Sequence, residues 1–496
     1  MESIVGGGIA GIACSWELQK HHCAVDIYES DSKLGGHANS VPFKGNGKTV
    51  NVDSGFIAMD VATYPQFNAF LGELDVKTIP TDMSFGVSTT DGTFDWSSYS
   101  LLNFIGTFSR LLKPWFWRLM FDILRFTLFA EDVLVCDTQQ KEATESFGTG
   151  TYDDVFKKDV MEEPLESIGD YLKRQGYSER FIDYYLIPMV AAPWCTDPDE
   201  FARTFPAKSL IQFMLRCGIL DTVIKRLQWR SFQNGSRTYV EAFQRSLPSC
   251  HQLHLNTPVQ KVVRIGKKVS LIFSDHSSET FDRVVLAIHA NQALALLGDG
   301  ATVLERKYLP RRLSARAAWN CFLENNSKSN KLGAKKGFLM QNHSEKSISM
   351  KISITFDMNK LQAIPYPGEL GSPGRVLVTM NPVHRYHDGA LIDPHSVQST
   401  HVYYHPLISS ESVLMSRHIN LINGVTGIAF AGAWMGFGFH EDGFRAGVNA
   451  ARILIHGREK TPPLDLTADT EFDCVVRTGF LRRILKAIVS IVWQFV

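Results

Sequence analysis

The sequence predicts an α/β protein. Distant stretches of chain join into one parallel-sheet domain, and the segments between them form a second domain of mixed sheet and helix. Two observations carry this. Near the N-terminus a short apolar strand runs into a glycine-rich turn, a helix and a second strand ending in an acid. Near the opposite end a strand again breaks at glycine, and a helix of small apolar residues follows. Between them lie apolar helical stretches and alternating runs.

Composition sets the bounds. The chain has 496 residues, 44% hydrophobic and 21% charged, enough core for two or three domains. Lys+Arg and Asp+Glu are both 51, so the basic excess of a general nucleic-acid-binding surface is missing. The 8 cysteines form no C-x-x-C pair, which argues against a disulfide scaffold or structural zinc and fits a reducing, cytoplasmic compartment. No apolar run is long enough for a membrane span. No signal peptide is expected, because a strand begins almost at Met1. The sequons at Asn234, Asn325 and Asn342 are then expected to be unused.

Ser3-Ile4-Val5 reads as a buried strand leading into Gly6-Gly7-Gly8-Ile9-Ala10-Gly11. Ile12 to Lys20 reads as helix, and Ala24 to Tyr28 as a second strand ending at Glu29. Gly6 permits the tight turn, Gly8 lets the backbone approach a pyrophosphate, and Gly11 lets helix and strand pack closely. The helix start offers unpaired N–H groups to phosphates. Glu29 follows Gly11 by 18 residues, where a carboxylate accepts from ribose hydroxyls and repels a 2′-phosphate. Strand, glycines, helix, strand and acid in this order predict a dinucleotide site.

The next elements refine it. Leu34-Gly35-Gly36-His37 places a double glycine where a second loop can lie against the diphosphate, and Asp53-Ser54-Gly55-Phe56 follows. Gly432-Ala433-Trp434 ends a strand from Gly427, and Met435 to Gly443 reads as a loop before a helix over Phe444 to His456. Glu441 and Asp442 read equally as helix caps or as catalytic acids. Lys261 to Ile265 and Val269 to Phe273 predict a hairpin about Gly266-Lys267, and Phe281 to Ala287 a buried strand. Ser349 to Phe356 and Arg375 to Met380 alternate as in an antiparallel sheet, with an exposed loop over 326–346. Residues 151–165 read as a charged loop.

These motifs resemble the flavin-containing amine oxidoreductase and phytoene-desaturase-like superfamily. Several of them resemble one branch, the N-terminal oxidoreductase module of plant cyclopropane-fatty-acid synthases. The matching segments are Gly35 to Val41, Trp194-Cys195-Thr196-Asp197-Pro198, Trp229 to Val240, Ala318-Trp319-Asn320, Ile354 to Asn359 and Gly432 to Asn449. One departure is His37, where the superfamily has arginine or histidine and arginine is the usual residue. The resemblance implies an amine-oxidase-like fold with a Rossmann-type, discontinuous FAD-binding domain over 1–80, 225–300 and 415–460. A substrate domain then covers 81–224 and 301–414, with an amphipathic tail over 461–496. It implies FAD as cofactor, held by Gly6, Gly8, Gly11, Glu29, Gly35, Gly36, His37, Asp53, Gly55, Val259, Gly432, Gly443 and Phe444. Trp194, Trp319 and Phe437 are expected as pocket walls and His440 as the proton-transfer candidate, since imidazole titrates near neutrality. His384, His387, His401 and His405 have spacings a metal could use, but are read as structural, and no metal is expected.

The expected function is FAD-dependent oxidoreductase chemistry on a hydrophobic lipid, acyl or isoprenoid-like substrate, as a desaturase or dehydrogenase or as a redox-neutral double-bond isomerase. The alternatives are a flavin amine oxidase, and a non-catalytic FAD-containing lipid-binding module partnering a methyltransferase. Residues 100–135 are rich in large apolar groups interrupted by charge, which reads either as a helical cap or as a lipid-facing entrance. The tail from Phe480 to Val496 places apolar residues on one helical face and Arg482, Arg483 and Lys486 on the other. It is expected either to dock on its own domain or to lie peripherally in a membrane interface, with Trp493 and the basic residues at headgroup depth.

Overall fold

The structure, a computed structural model, describes residues 1–89, 95–98, 100–134, 165–194, 196–221, 227–309, 315–323, 338–343, 351–381, 394–462, 464 and 480–494. The side chains of 315–323 and 338–343 lie outside the described set, as do residues 151–164 and 324–337, His384 and His387.

The first layer is a five-stranded sheet of β1 (Glu2–Val5), β2 (Val25–Tyr28), β3 (His251–His254), β4 (Arg283–Leu286) and β5 (Ile428–Phe430), in the order β3-β2-β1-β4-β5. Every pairing is parallel. Parallel strands need long crossovers, and here whole segments of the second region serve as connections. The strands are largely buried and apolar, as sheets covered on both faces require. The hairpin turns at Gly266-Lys267 as expected. The run from Phe281 is divided, because Phe281 closes a hairpin strand (Ser278–Phe281) and β4 begins at Arg283.

The helices include α1 (Ile9–Gln19), α2 (Pro65–Glu73), α3 (Pro114–Phe129), α4 (Ala207–Arg216), α5 (His440–His456) and α6 (Phe480–Trp493). The closest helix packing is α1 against α5. A Cβ on Gly447 would sit 2.1 Å from the Ala10 carbonyl oxygen, and one on Gly443 would sit 2.7 Å from Ile9. Two glycines one turn apart therefore set the crossing distance.

The second layer is a seven-stranded sheet in the order Val397–His405, Ala315–Leu323, Val376–Met380, Lys351–Asp357, Phe338–His343, Phe85–Thr89, Asp95–Ser97. It is antiparallel except for the pair Phe338–His343 with Phe85–Thr89. Residues 338–343 are thus strand, where the sequence suggested loop, because they pair on both sides. Each region has its own apolar core.

A cofactor cradle that opens into an apolar chamber

The site starts where the sheet ends. The carboxyl ends of β1, β2, β4 and β5 pass into Gly6–Gly8, Glu29, Ala287–His289 and Gly432–Trp434, and all of these line one cavity. This is where parallel sheets receive ligands, since the loops diverge there and leave a crevice.

The glycines act in distinct ways. Gly6 has φ 108°, and a Cβ there would lie 2.4 Å from the Ala287 carbonyl oxygen. A Cβ on Gly11 would come within 1.9 Å of the Gly6 carbonyl oxygen, so α1 could not pack on the turn. Gly8 differs, because a Cβ there would meet nothing within 4 Å. Its space lies in the cavity, and Gly36 borders it, with a would-be Cβ 3.3 Å from the Gly8 Cα. Helix α1 starts at this point without a side-chain cap and without an acid in its first turn. Its first N–H groups are available to an anion. At Gly7, which the sequence motif leaves unspecified, a Cβ would lie 2.3 Å from a Leu34 methyl and 2.9 Å from the Glu29 carboxylate, so both side chains would have to shift.

Glu29 is oriented by the backbone. Gly7 N–H donates to one carboxylate oxygen at 2.6 Å, and Asp31 N–H and the Ser30 hydroxyl donate to the other at 2.9 Å each. Gly35, Gly36, His37, Gly55 and Val259 also line the cavity. A Cβ on Gly55 would sit 2.4 Å from the His37 carbonyl oxygen, so the two loops touch through backbone. The His37 ring lies 6.3 Å from His289 and 5.3 Å from His405. Burial lowers all three pKa values, with neighbouring imidazoles adding to the effect at His37 and His405.

Four residues expected at the cofactor do not line the cavity: Gly11, which packs α1 on the turn, and Asp53, Gly443 and Phe444. Asp53 Oδ1 accepts from the Ser40 hydroxyl at 2.6 Å and from the Ser236 N–H and hydroxyl at 2.8 Å each, tying two loops together. Burial pushes its pKa up to about 7, against those hydrogen bonds. Gly443 serves the α1–α5 crossing. Phe444 is buried among Trp16, Phe67 and Phe70. The reason is common to the last two: α5 begins at His440, four residues before the expected start, which turns these positions inward. Asp442 makes that early start possible, since its carboxylate accepts from the Phe437 and Phe439 N–H groups at 3.0 Å each. Glu441 caps a different helix, accepting from the Gln66 and Phe67 N–H groups at the start of α2 at 3.0 and 2.9 Å.

His440 lines the cavity within an aromatic stack. Its ring lies flat on Phe56 at 3.8 Å, and Nε2 shares a 2.7 Å hydrogen bond with the Tyr239 hydroxyl. Burial pulls its pKa down to about 3.

Beyond the cradle the same cavity continues into the second region, to about 1290 Å³ in all. This exceeds the roughly 300–1,000 Å³ of ordinary small-molecule sites. Trp194 and Phe437 stand at the junction, where Trp194 Nε1 donates to the Phe437 carbonyl at 2.7 Å. Phe213 packs edge-on to Trp194 and flat on Phe439. Met120, Ile123, Tyr185, Phe356 and Met380 extend the wall. Trp319 pairs in register with Met380 and His401, and its side chain lies outside the described set. Sequence reasoning missed Phe213, Tyr185 and His289. Only the strand-end position of His289 carried a signal, just beyond β4.

Among the described residues no group of three His, Cys, Asp or Glu could hold a metal ion. The uncapped α1 start, the open space at Gly8 and Gly36 and the oriented Glu29 together fit a dinucleotide with its diphosphate at the turn. Fold and cradle therefore define a dinucleotide-dependent oxidoreductase with an apolar chamber.

The model of the flavin-containing amine oxidoreductase family matches residues 9–360, and the chain belongs to that family. It is an FAD-dependent oxidoreductase with an amine-oxidase-like fold. Solved structures agree on the fold. A fatty acid isomerase from P. acnes is 14% identical with a TM-score of 0.59, covering 92% of this chain and 98% of that one. Cyclohexylamine oxidase from Brevibacterium oxydans IH-35A is 14% identical with a TM-score of 0.60, covering 92% and 99%. Putrescine oxidase bound to putrescine is 13% identical with a TM-score of 0.57, covering 92% and 98%. No curated protein matches the sequence.

Proposed function

We propose that this oxidoreductase acts on a hydrophobic lipid, acyl or isoprenoid-like chain, as a desaturase or dehydrogenase or as a redox-neutral double-bond isomerase. The observation that carries the reading is the chamber wall, built from Trp194, Phe213, Phe437, Met120 and Ile123 and continuous with the cofactor cradle. The acids along the cavity support it, because they already hold internal partners. Asp442 and Glu441 cap helices, Asp60 accepts from the Ala62 N–H, and Asp82 pairs with Lys360 at 2.8 Å. A chamber of this kind suits an uncharged chain better than an ammonium group. That a fatty acid isomerase shares the fold, and that the sequence motifs resemble the cyclopropane-synthase module, adds support.

The cradle of Gly6–Gly8, Gly36 and Glu29 would hold FAD, which when bound would supply the hydride acceptor for this chemistry. The protein's part is position and exclusion of water. Trp194 and Phe437 act as walls that hold the chain at the junction of chamber and cradle. We assign His440 to positioning, since burial keeps its ring neutral down to about pH 3 and Nε2 is engaged by Tyr239. Its flat contact with Phe56 holds that ring on the cavity wall. If His440 instead moves a proton, His440→Ala lowers turnover about 100-fold or more with FAD retained, and the pH profile of the residual rate loses one limb. A methyltransferase working on the same chain is the partner that the alternative, a non-catalytic FAD-containing lipid-binding module, would serve.

Anaerobic mixing tests the assignment. Bleaching of the yellow flavin by a lipid is the expected outcome, and product without net bleaching identifies isomerisation. Bleaching by a primary amine instead overturns the substrate class. Neither bleaching nor product with any lipid leaves a non-catalytic lipid-binding role.

A further inference from the structure

The C-terminal helix docks with its polar face inward. Arg482 forms an ion pair with buried Glu131 and donates to the carbonyls of Thr127 and Leu128 at 3.1 and 2.9 Å. Lys486 pairs with Asp132 at 2.5 Å. Trp493 stacks on Phe121 and lies under the guanidinium of Arg125, 3.8 Å from its ring centre. The basic residues and the tryptophan expected at headgroup depth are thus the groups that fasten α6 to α3, apart from Arg483, which is exposed. Among the described side chains of α6, Val489 is the apolar one that is buried.

The consequence is an apolar stripe turned to solvent. Ile484, Leu485, Ile488, Ile491 and Val492 are exposed, Ile488 by 51% and Ile491 by 59%. They continue onto α3, where Trp117 (59%) and Leu124 flank Phe121, the residue under Trp493, at helical spacing. The Trp117 Nε1 donates to the Leu111 carbonyl at 2.8 Å, which joins the preceding turn with exposed Phe108 (72%) and Leu112 (84%). Half of the exposed large apolar side chains among the described residues fall on these two segments. Scattered exposed apolar groups are ordinary, but a continuous patch marks an interaction surface.

Charge identifies the occupant. No acid occurs between residues 100 and 121 or after Asp473, whereas Lys113 and Arg483 are exposed on the two segments. Two copies meeting through this face would bring like charges together. An anionic bilayer brings opposite ones, and its acyl region accepts the stripe. Among the described residues no helix is long and apolar enough to cross a membrane, so the surface lies in the interface.

We propose that the face built by α3, the turn before it and the outer stripe of α6 docks on an anionic lipid bilayer. Met120 and Ile123 on α3, and Phe104 just before it, line the chamber. Resting on the proposed apolar substrate, the same face then brings the chamber wall to the lipid, so that a chain can pass without crossing water.

The test is sedimentation of the full-length, FAD-loaded protein with vesicles of phosphatidylcholine alone or mixed with phosphatidylglycerol. Binding to the mixed vesicles is expected, about tenfold weaker to the neutral ones or in high salt. The Ile488→Glu, Ile491→Glu double variant should lose about tenfold or more, and Trp117→Glu should weaken binding separately, both with flavin absorbance and melting unchanged. No partition into either vesicle, or partition that neither variant alters, overturns the proposal. So does a dimer that the double variant dissolves without any vesicle binding. Flavin bleaching by a detergent-dispersed lipid tests the substrate class without vesicles, so the two readings fail separately.

Discussion

The cofactor cradle and the substrate chamber share one cavity but are made differently. The cradle is made of backbone: Gly6, Gly36 and Gly55 meet chain against chain, Gly8 leaves its space to the cavity, and Glu29 is held by three donors next to the turn. The chamber is made of side chains from α3, α4, the seven-stranded sheet and the loop before α5. Backbone contact demands glycine at fixed spacing and tolerates nothing else, while an apolar wall accepts many residues of similar volume. The cradle therefore holds one kind of ligand throughout a large family, and the chamber is where its members can differ.

The contrast can be broken at single glycines. The largest effect is expected at Gly11→Val. Its Cβ would enter the Gly6 carbonyl, costing about 3 kcal/mol or more by thermal or urea unfolding, with little folded protein recovered. Gly8→Val should separate binding from folding. Its Cβ meets nothing in the protein, so stability stays within about 0.5 kcal/mol, while FAD affinity by titration falls roughly 100-fold or more. Equal destabilisation by both variants would show that Gly8 is a packing residue like Gly11.

Asp53 sharpens the comparison from the scaffold side. In the folded protein it keeps its proton up to about pH 7, and in the unfolded chain it releases it near 3.8. Between those values the folded state binds more protons, so stability falls as pH rises from about 4 to about 7 and is level above. Asp53→Asn should remove that slope, at most about 1.4 kcal/mol per pH unit, in urea unfolding across pH. A pH-independent difference between the two proteins would mean that the group titrates normally. The smallest effect is expected in the chamber. Trp194→Phe keeps the apolar wall and loses the hydrogen bond to Phe437, costing about 1 kcal/mol of stability. FAD should stay bound, and kcat/KM for a long-chain substrate should drop more than that for a short one.

Much of the cradle was legible because its requirements are local. The order of strand, glycines, helix, strand and acid announces itself within thirty or so residues. What misled was position within α5: Gly443 and Phe444 follow a glycine-rich stretch that reads as loop, yet Asp442 caps the helix early and rotates both into the core. Asp53 misled for another reason: the resemblance of Asp53-Ser54-Gly55-Phe56 to the superfamily's pattern implied a place at the cofactor, whereas Ser40 and Ser236 hold its carboxylate. Phe213 and Tyr185 carried no signal, because an aromatic residue on a helix reads the same whether it faces a core or a cavity.

The sequence by itself determined the parallel sheet, the dinucleotide turn and the amphipathic character of the last helix, because each is written in spacing along a few turns or strands. Only the tertiary structure decided which way that helix faces. Pattern alone left two expectations, the apolar stripe docked on its own domain or lying in a membrane interface. Glu131, Asp132 and Arg125, far away in the chain, bind its cations and its tryptophan instead, and so the stripe points outward. Distant charges choose the docking face, and no periodicity within the helix can reveal them.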